Sequence, residues 1–329
     1  MRQINNKAVI VHGGAGTLNS ARVQKKIPYL IQARDAAWSV LEQGKSAEEA
    51  VVAALRVMEA SEYFNAGYGG YPNVNGIVLQ DIGLMRGNLS FVSLLNVRRL
   101  IHPSAAAFDL LNDTRSLLSI WTKEMMDKID QEDENLKERY GWVQEHKDLL
   151  SPYVIEMLKE QEAEFGSSGA THGTVGCVAR DNAGNLAAAT CTGGVNTKRN
   201  GRIGDSPIIG SGVFADNEIC ALSTTGYGES FLKSQISSFV IGRTRQDLRS
   251  DSSIFEKQPD RINQILEEEF EELDRKCAAK GGAMIIIPRD GLPSFYFNSQ
   301  MASIAFKSEQ LDGVKEDAFI AVKNGEYIR

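Results

Sequence analysis

Cysteine is scarce in this chain. Cys177, Cys191, Cys220 and Cys277 stand far apart and no two form a CxxC pair. That spacing argues against a disulfide frame or a cysteine zinc site, and three of the four fall in apolar runs that read as strands, so buried thiols are expected. Long apolar runs are missing as well. Nothing approaches the ~18 uninterrupted apolar residues of a bilayer span, and the leading run Ala8-Val9-Ile10-Val11 is too short for a signal-peptide core. Positive charge is in deficit: 36 Lys and Arg against 43 Asp and Glu leave a net charge of −7. This argues against a nucleic-acid footprint and gives no attraction to anionic lipid. What remains is an ordinary globular composition, 42% hydrophobic and 24% charged, able to bury a core. The expectation is a cytoplasmic protein with neither a nucleic-acid nor a membrane partner.

Hydrophobic patterning alternates strand and helix in both halves. Val9-Ile10-Val11 reads as a buried strand that ends at His12-Gly13-Gly14-Ala15-Gly16. That stretch lacks the G-x-G-x-x-G spacing and the lysine of a P-loop, so nucleotide binding is not expected. A helical pattern follows from about Ser20 to Gln43, stopped by Gly44, and Ser46 with Glu49 forms a capping box opening a helix from Ala47 to Ala60. Phe64-Asn65-Ala66-Gly67-Tyr68-Gly69-Gly70 is a glycine-dense loop, and Asn75-Gly76 suggests a hairpin turn between short strands. Residues 104–164 read as mostly helical. Beyond them Thr174 to Ala179, Leu186 to Thr192 and Ile219 to Ser223 read as strands, with helices over roughly 229–243 and 260–279. Ala283 to Ile287 and Phe295-Tyr296-Phe297 close the pattern as a strand pair around a Pro288–Gly291 turn.

The most informative place is the junction before Thr174. A small, polar connector, about residues 165–173, runs straight into a strand whose first residue is a threonine. Read alone, Thr174 is one more β-branched strand residue. However, Gly173 offers no Cβ to shield its carbonyl from the next hydroxyl. Thr192, Arg202, Asp205 and Thr225 follow at turns and strand ends, where side chains could converge. A threonine freed at its N-terminus carries its own base, because an α-amino group titrating near ~7.7–8.0 can take the proton of the neighbouring hydroxyl. An internal threonine has only an amide nitrogen, so self-cleavage would create the catalyst.

Several motifs occur in order: His172-Gly173-Thr174-Val175-Gly176, Thr192-Gly193-Gly194, Gly201-Arg202-Ile203-Gly204-Asp205-Ser206-Pro207 and Thr224-Thr225-Gly226-Tyr227-Gly228-Glu229. With Val11-His12-Gly13-Gly14-Ala15-Gly16 and Phe64-Asn65-Ala66-Gly67, this set resembles the plant-type asparaginase and isoaspartyl peptidase family of N-terminal nucleophile hydrolases. The likeness covers most of residues 8–101 and 172–300, and is poor over the insert of about 103–165. It implies an α+β fold, a four-layer αββα sandwich spanning 1–329 as one domain, cut into an α chain 1–173 and a β chain 174–329. Thr174 would be the nucleophile and Thr192 its hydrogen-bonding neighbour. Thr225 and the Gly226 N–H would form the oxyanion hole.

By the same resemblance, Arg202 would grip the substrate α-carboxylate and Asp205 the α-ammonium, with help from Gly228. Seen bare, Arg202 and Asp205 read as a loop salt bridge. Asn65, Gly13 and Gly14 would support the nucleophile. No cofactor is expected for catalysis. The family's structural sodium ion would sit on backbone carbonyls of Met58, Glu59, Ser61, Phe64, Ala66 and Tyr68. Partners reduce to a small-molecule or dipeptide substrate and a second copy, giving a homodimer of αβ units. The implied activity is hydrolysis of β-aspartyl peptides and L-asparagine. Glycosylasparaginase and an uncleaved, non-catalytic binding protein on the same fold stay open as alternatives. One departure stands out: where the family usually reads D-A-x-I-M-D-G, this chain has Asp81-Ile82-Gly83-Leu84-Met85-Arg86-Gly87.

Overall fold

The computed structural model describes residues 6–16, 23–113, 116–120, 134–163, 173–277, 281–310, 313–323 and 325–329. Thirteen strands among them form two sheets. The larger has nine strands in the order β13-β12-β11-β1-β5-β6-β2-β3-β4, and the smaller four in the order β10-β9-β8-β7. The large sheet is built from β1 (Ala8–Gly16), β2 (Gln80–Arg86), β3 (Phe91–Val97), β4 (Ser116–Ile120), β5 (Val175–Arg180) and β6 (Leu186–Thr192), with β11 (Met301–Gln310), β12 (Gly313–Val322) and β13 (Tyr327–Ile328). The small sheet holds β7 (Val213–Asp216), β8 (Cys220–Gly226), β9 (Gly282–Pro288) and β10 (Ser294–Phe297). Pairing is antiparallel throughout except between β3 and β4.

Strand periodicity sorts the core into three apolar layers. Val9, Val11, Val175, Cys177, Ala187 and Ala189 face one way, against helices α1 (Ile27–Glu42), α2 (Ala47–Glu59) and α3 (Pro103–Asp113). Ala8, Ile10, Val178 and Ala188 face the other way, against Ala221, Ala283, Ile285 and Ile287 of the small sheet. On that sheet's far side Cys220, Leu222, Met284 and Ile286 meet a second helical layer, α6 (Gly228–Ser234), α7 (Ile236–Ser250), α8 (Ile254–Lys257) and α9 (Arg261–Cys277). Alternate residues of one strand thus serve two cores, and the result is an α+β sandwich of four layers, helix-sheet-sheet-helix. Two further helices, α4 (Glu134–Tyr140) and α5 (Pro152–Ala163), belong to the insert. Among the described residues no helix is long and apolar enough to cross a membrane. All four cysteines are free, and three are buried.

The Ser46–Glu49 capping box is present: the Ser46 side chain accepts from the Glu49 N–H, and the Glu49 carboxylate accepts from the Ser46 N–H. Other boundaries differ from the sequence reading. β1 does not end at His12 but runs on to Gly16 through a bulge between His12 and Ala15. The Asn75-Gly76 turn joins a single bridge, Pro72 to Val78, and no longer strands. The reading of 104–164 as helical misses β4, which pairs with β3. The expected helix over 229–243 is broken at Gln235, whose φ of 55° ends α6 before α7 begins. Residues 17–22, 121–133 and most of the 165–173 connector lie outside the described residues.

Candidate active site

Thr174 immediately precedes β5, whose Val175 pairs with Cys191, so Thr174 comes beside Thr192 at the end of β6. The Thr174 hydroxyl donates to Thr192 Oγ1 at 3.0 Å, and the Gly194 N–H donates to the same oxygen at 2.9 Å. Asn65 ties the junction to the strand end. Its N–H donates to the Gly173 carbonyl at 2.9 Å, its carbonyl accepts from the Gly193 N–H at 2.9 Å, and its side chain accepts from the Tyr71 N–H at 2.7 Å and donates to the Gly194 carbonyl at 2.5 Å. This close approach needs both glycines. A Cβ on Gly173 would lie 2.9 Å from Asn65 Cβ and 3.0 Å from its nitrogen, and one on Gly193 would lie 2.4 Å from Asn65 Oδ1.

The C-terminal end of β8 supplies the facing wall. Thr225 is buried and its hydroxyl has no hydrogen-bond partner, which is an unusual state for a buried polar group. Gly226 has a φ of +139°, and a Cβ there would strike Gly282 Cα at 2.4 Å, so only glycine fits. Nearby, Arg202 forks onto Glu229, Nε to Oε1 at 3.0 Å and Nη2 to Oε2 at 2.8 Å. Glu229 therefore fills the Arg202 guanidinium fork. Asp205 is fully buried and accepts from the Thr224 hydroxyl at 2.8 Å. Burial pushes its carboxyl up to about 6, against the opposing pull of Thr224 and the Arg202 charge. The bare reading of Arg202 and Asp205 as a salt bridge is thus replaced by the Arg202–Glu229 pair. Gly228 lets Asp205 in, since a Cβ on it would meet Asp205 Oδ1 at 2.5 Å.

Three buried polar groups lie under the site; the sequence reading quoted His12 and Asp81 within motifs but listed none of these side chains among the site residues. His12 Nε2 lies 2.9 Å from Ser223 Oγ, which lies 2.6 Å from Thr190 Oγ1, which donates to the Gly212 carbonyl at 2.9 Å. Burial drops the His12 pKa to about 3, although the Thr174 backbone opposes the fall, so the ring is neutral beside Thr174. Its Nδ1 makes no hydrogen bond of ordinary geometry. Lys26 donates to the Gly13 carbonyl at 3.0 Å and sits 5.6 Å from the centre of the Phe64 ring; burial lowers it to about 8. Lys198 lies 3.6 Å from Asp81 and donates to the Leu79 carbonyl at 2.7 Å. Burial raises Asp81 and lowers Lys198, while each charge steadies the other. The pair lies beneath Thr192 and Gly194, since Asp81 is the register partner of Thr192 and a Cβ on Gly194 would meet the Lys198 stem at 2.8 Å.

The sequence model of the asparaginase family matches residues 5–314. The chain belongs to the asparaginase family, and it is a hydrolase. The isoaspartyl peptidase/L-asparaginase of Danio rerio is 35% identical over 249 residues, covering 72% of this chain and 76% of that protein. The protein of the same name from Mus musculus is 36% identical over 244 residues, covering 72% of each. The isoaspartyl peptidase of Salmonella typhimurium is 36% identical over 246 residues, 69% of this chain and 76% of that one.

Within this asparaginase fold the β2 departure has a packing explanation. Arg86 points to the helices, 3.0 Å from Glu48 and donating to Asn112 Oδ1 at 2.6 Å. Gly83 makes room for the Asp205 loop, because a Cβ on it would meet Val213 at 2.6 Å and the Ser206 carbonyl at 3.1 Å. Gly13 is similarly closed in, and a Cβ there would strike the Phe64 ring at 2.4 Å; Gly14 has a φ of 104°.

The loop from Met58 to Tyr68, where the resemblance places a sodium ion, brings several backbone carbonyls against its glycines. A Cβ on Gly67 would lie 2.1 Å from the Glu59 carbonyl oxygen and 2.4 Å from that of Ile101, and one on Gly69 2.2 Å from that of Phe64. The Met58 carbonyl accepts from the Ser61 N–H at 3.1 Å and the Ala66 carbonyl from the Gly69 N–H at 3.2 Å. The buried Glu59 side chain accepts from the Ser104 hydroxyl at 2.7 Å.

Proposed function

We propose that this chain is a self-processing amidohydrolase. It cuts itself between Gly173 and Thr174, and then hydrolyses β-aspartyl (isoaspartyl) peptides and L-asparagine to release L-aspartate. The observation that carries the reading is the Thr174–Thr192 hydroxyl pair at 3.0 Å, set beside a scissile carbonyl already held by the Asn65 N–H at 2.9 Å. In processing, the Thr174 hydroxyl attacks the Gly173 carbonyl, the peptide nitrogen leaves as an amine, and water hydrolyses the resulting ester. The products are an α chain 1–173 and a β chain from 174.

In turnover, the substrate α-carboxylate displaces Glu229 from the Arg202 fork and the α-ammonium settles on Asp205, mostly ionised at neutral pH. The side-chain carbonyl then faces Thr174. Its hydroxyl attacks, its own amine takes the proton, and Thr192 and the Gly194 N–H fix the hydroxyl's orientation. Thr225, whose hydroxyl is unspent, and the Gly226 N–H take the charge that develops on oxygen. The amine leaves and water releases aspartate from the ester.

The neutral His12 adds no positive charge beside the Thr174 amine. A sodium ion bound by carbonyls of Met58, Glu59, Ser61, Phe64, Ala66 and Tyr68 would stiffen the loop that carries Asn65 and takes no part in the chemistry. A homodimer of αβ units and a cytoplasmic location belong to the same reading, the latter supported by four free thiols.

Processed protein is to be incubated with β-aspartyl dipeptides, asparagine and glycosylated asparagine; aspartate is expected from the first two, and none from either would sink the reading. Gly173→Ala gives a subtler test. Its methyl pushes Asn65 off the scissile carbonyl, so cleavage followed on a denaturing gel should slow about a hundredfold, the effect of losing one oxyanion donor.

A further inference from the structure

The reaction proposed above uses neither Lys198 nor Asp81, yet both side chains are fully buried, at 0% exposure. Burying two charges is unfavourable unless their geometry is excellent, and a well-packed uncharged pair is often as stable or more so. Here the ion pair is loose. Lys198 Nζ stands 3.6 Å from Asp81 Oδ2, and that oxygen has no hydrogen-bond partner. The backbone that delivers Lys198 is strained as well: Thr197, a β-branched residue, is held in the left-handed region at a φ of 54°. Its N–H donates to the Pro72 carbonyl at 3.0 Å, and the Lys198 carbonyl accepts from the Val74 N–H at 3.0 Å. Stability does not account for a loose, buried ion pair on a strained turn. Such strain gathers where a geometry has to be held for function.

What the ammonium holds is Gly194. A Cβ on Gly194 would lie 2.8 Å from Lys198 Cδ and 2.9 Å from its Nζ, so the end of the side chain packs directly against the glycine. Nζ is anchored by the Leu79 carbonyl at 2.7 Å, and Asp81, the register partner of Thr192, accepts the Asn96 N–H at 2.9 Å. On its other sides Gly194 donates its N–H to Thr192 Oγ1 at 2.9 Å and accepts from Asn65 Nδ2 at 2.5 Å. Thr192 Oγ1 is the atom that receives the Thr174 hydroxyl at 3.0 Å. A single glycine thus links the buried ammonium to the orientation of the nucleophile. At a φ of +81° it has the conformational freedom peculiar to glycine, and the Lys198 side chain restricts that freedom.

We propose that Lys198 is a positioning residue for Thr174. Its ammonium, fixed between the Leu79 carbonyl and Asp81, holds Gly194 so that the Gly194 N–H keeps the Thr192 hydroxyl, and through it Thr174, aimed for attack. Asp81 is the counter-charge that keeps the ammonium in place. This role deepens the hydrolase reading of the site and rests on it.

The double variant Lys198→Met/Asp81→Asn keeps the stem and the acceptor for the Asn96 N–H but removes both charges. A pair with only a structural role predicts an unfolding midpoint at or above that of wild type and an unchanged rate. The positioning role predicts that midpoint together with a kcat for a β-aspartyl dipeptide lowered about tenfold or more, normalised to the cleaved fraction on a denaturing gel. KM should stay within about twofold, because Arg202 and Asp205 are untouched. Lys198→Gln/Asp81→Asn, an amide pair ending one atom short of the ammonium, repeats the measurement if the first variant does not fold. A folded double variant with wild-type kcat, or one in which KM rises and kcat does not, overturns the proposal.

Amide hydrogen exchange followed by NMR needs no turnover and separates this role from the hydrolase reading. The Gly194 N–H should exchange at least about tenfold faster in the double variant than in wild type. The Thr224 N–H, bonded to the Gly212 carbonyl at 3.0 Å, should exchange as in wild type. Unchanged protection at Gly194 overturns the positioning role even in an enzyme that turns over. Wild type that releases no aspartate, while Gly194 still loses protection in the variant, overturns the hydrolase reading alone.

Discussion

Thr174→Ala should give a single full-length band on a denaturing gel, in fresh and in aged protein, and should lower aspartate release at least about a thousandfold. Both effects come from one oxygen. Without the hydroxyl nothing attacks the Gly173 carbonyl, so the amine that would serve as base is never liberated. Even a trace of nicked chain would have a base and no nucleophile. Structural damage should be small: Thr174 is a buried residue at a strand edge, and its one hydroxyl bond, to Thr192, stabilises by about 1 kcal/mol. Circular dichroism and a melting curve therefore check that the variant is folded. Thr174→Ser supplies the positive control, since it keeps both hydroxyl and amine and should regain both reactions at reduced rate. N-terminal sequencing of the smaller wild-type band should begin Thr-Val-Gly-Cys. A cleaved Thr174→Ala protein, or a band starting elsewhere, removes the mechanism.

The junction at Thr174 was legible because its strand is. Val175–Arg180 and Leu186–Thr192 are short apolar runs, and the turn between them declares itself through Asp181, whose carboxylate accepts the Ala183 and Asn185 N–H groups at 2.9 Å each. The outer edge of the large sheet was not legible. The sequence reading ended at Phe297 and assigned no strand beyond it, where β11 and β12 carry Lys307, Glu309, Lys315, Glu316 and Asp317; in the sheet these charges become cross-strand partners, with Lys307 opposite and bridged to Glu316. Nor does any glycine or proline announce the left-handed Gln235 that splits α6 from α7. In the candidate site, the residues that carry a motif were legible in the sequence, and those joined only by tertiary contact were not. Lys198 and Asp81 lie 117 positions apart in the chain, and His12 meets Ser223 across 211; neither separation leaves a pattern in the sequence. Glu229 was visible beside Gly228 but its place in the Arg202 fork depends on how α6 starts.

Asp205→Asn should make the protein more stable and nearly inactive. Burial raises this carboxyl from the ordinary 3.8 to about 6. The folded form therefore holds the proton more tightly than the unfolded chain, and stability falls as pH rises from about 3.8 to about 6. Above that window the whole cost, roughly 3 kcal/mol, is present; below it the cost disappears. Asparagine removes the buried charge and can still accept the Thr224 hydroxyl through its amide oxygen. The unfolding midpoint should consequently rise by a few degrees at pH 7.5 and change little at pH 4. The same substitution leaves the substrate ammonium without a counter-charge in a desolvated site, which should lower kcat/KM about a hundredfold or more. In wild type, kcat/KM should climb as pH passes about 6, when Asp205 ionises. The two readouts must move in opposite directions. A variant that melts earlier than wild type at pH 7.5, or that keeps its kcat/KM, would show that Asp205 is a structural partner of Thr224 and not the group that waits for an ammonium.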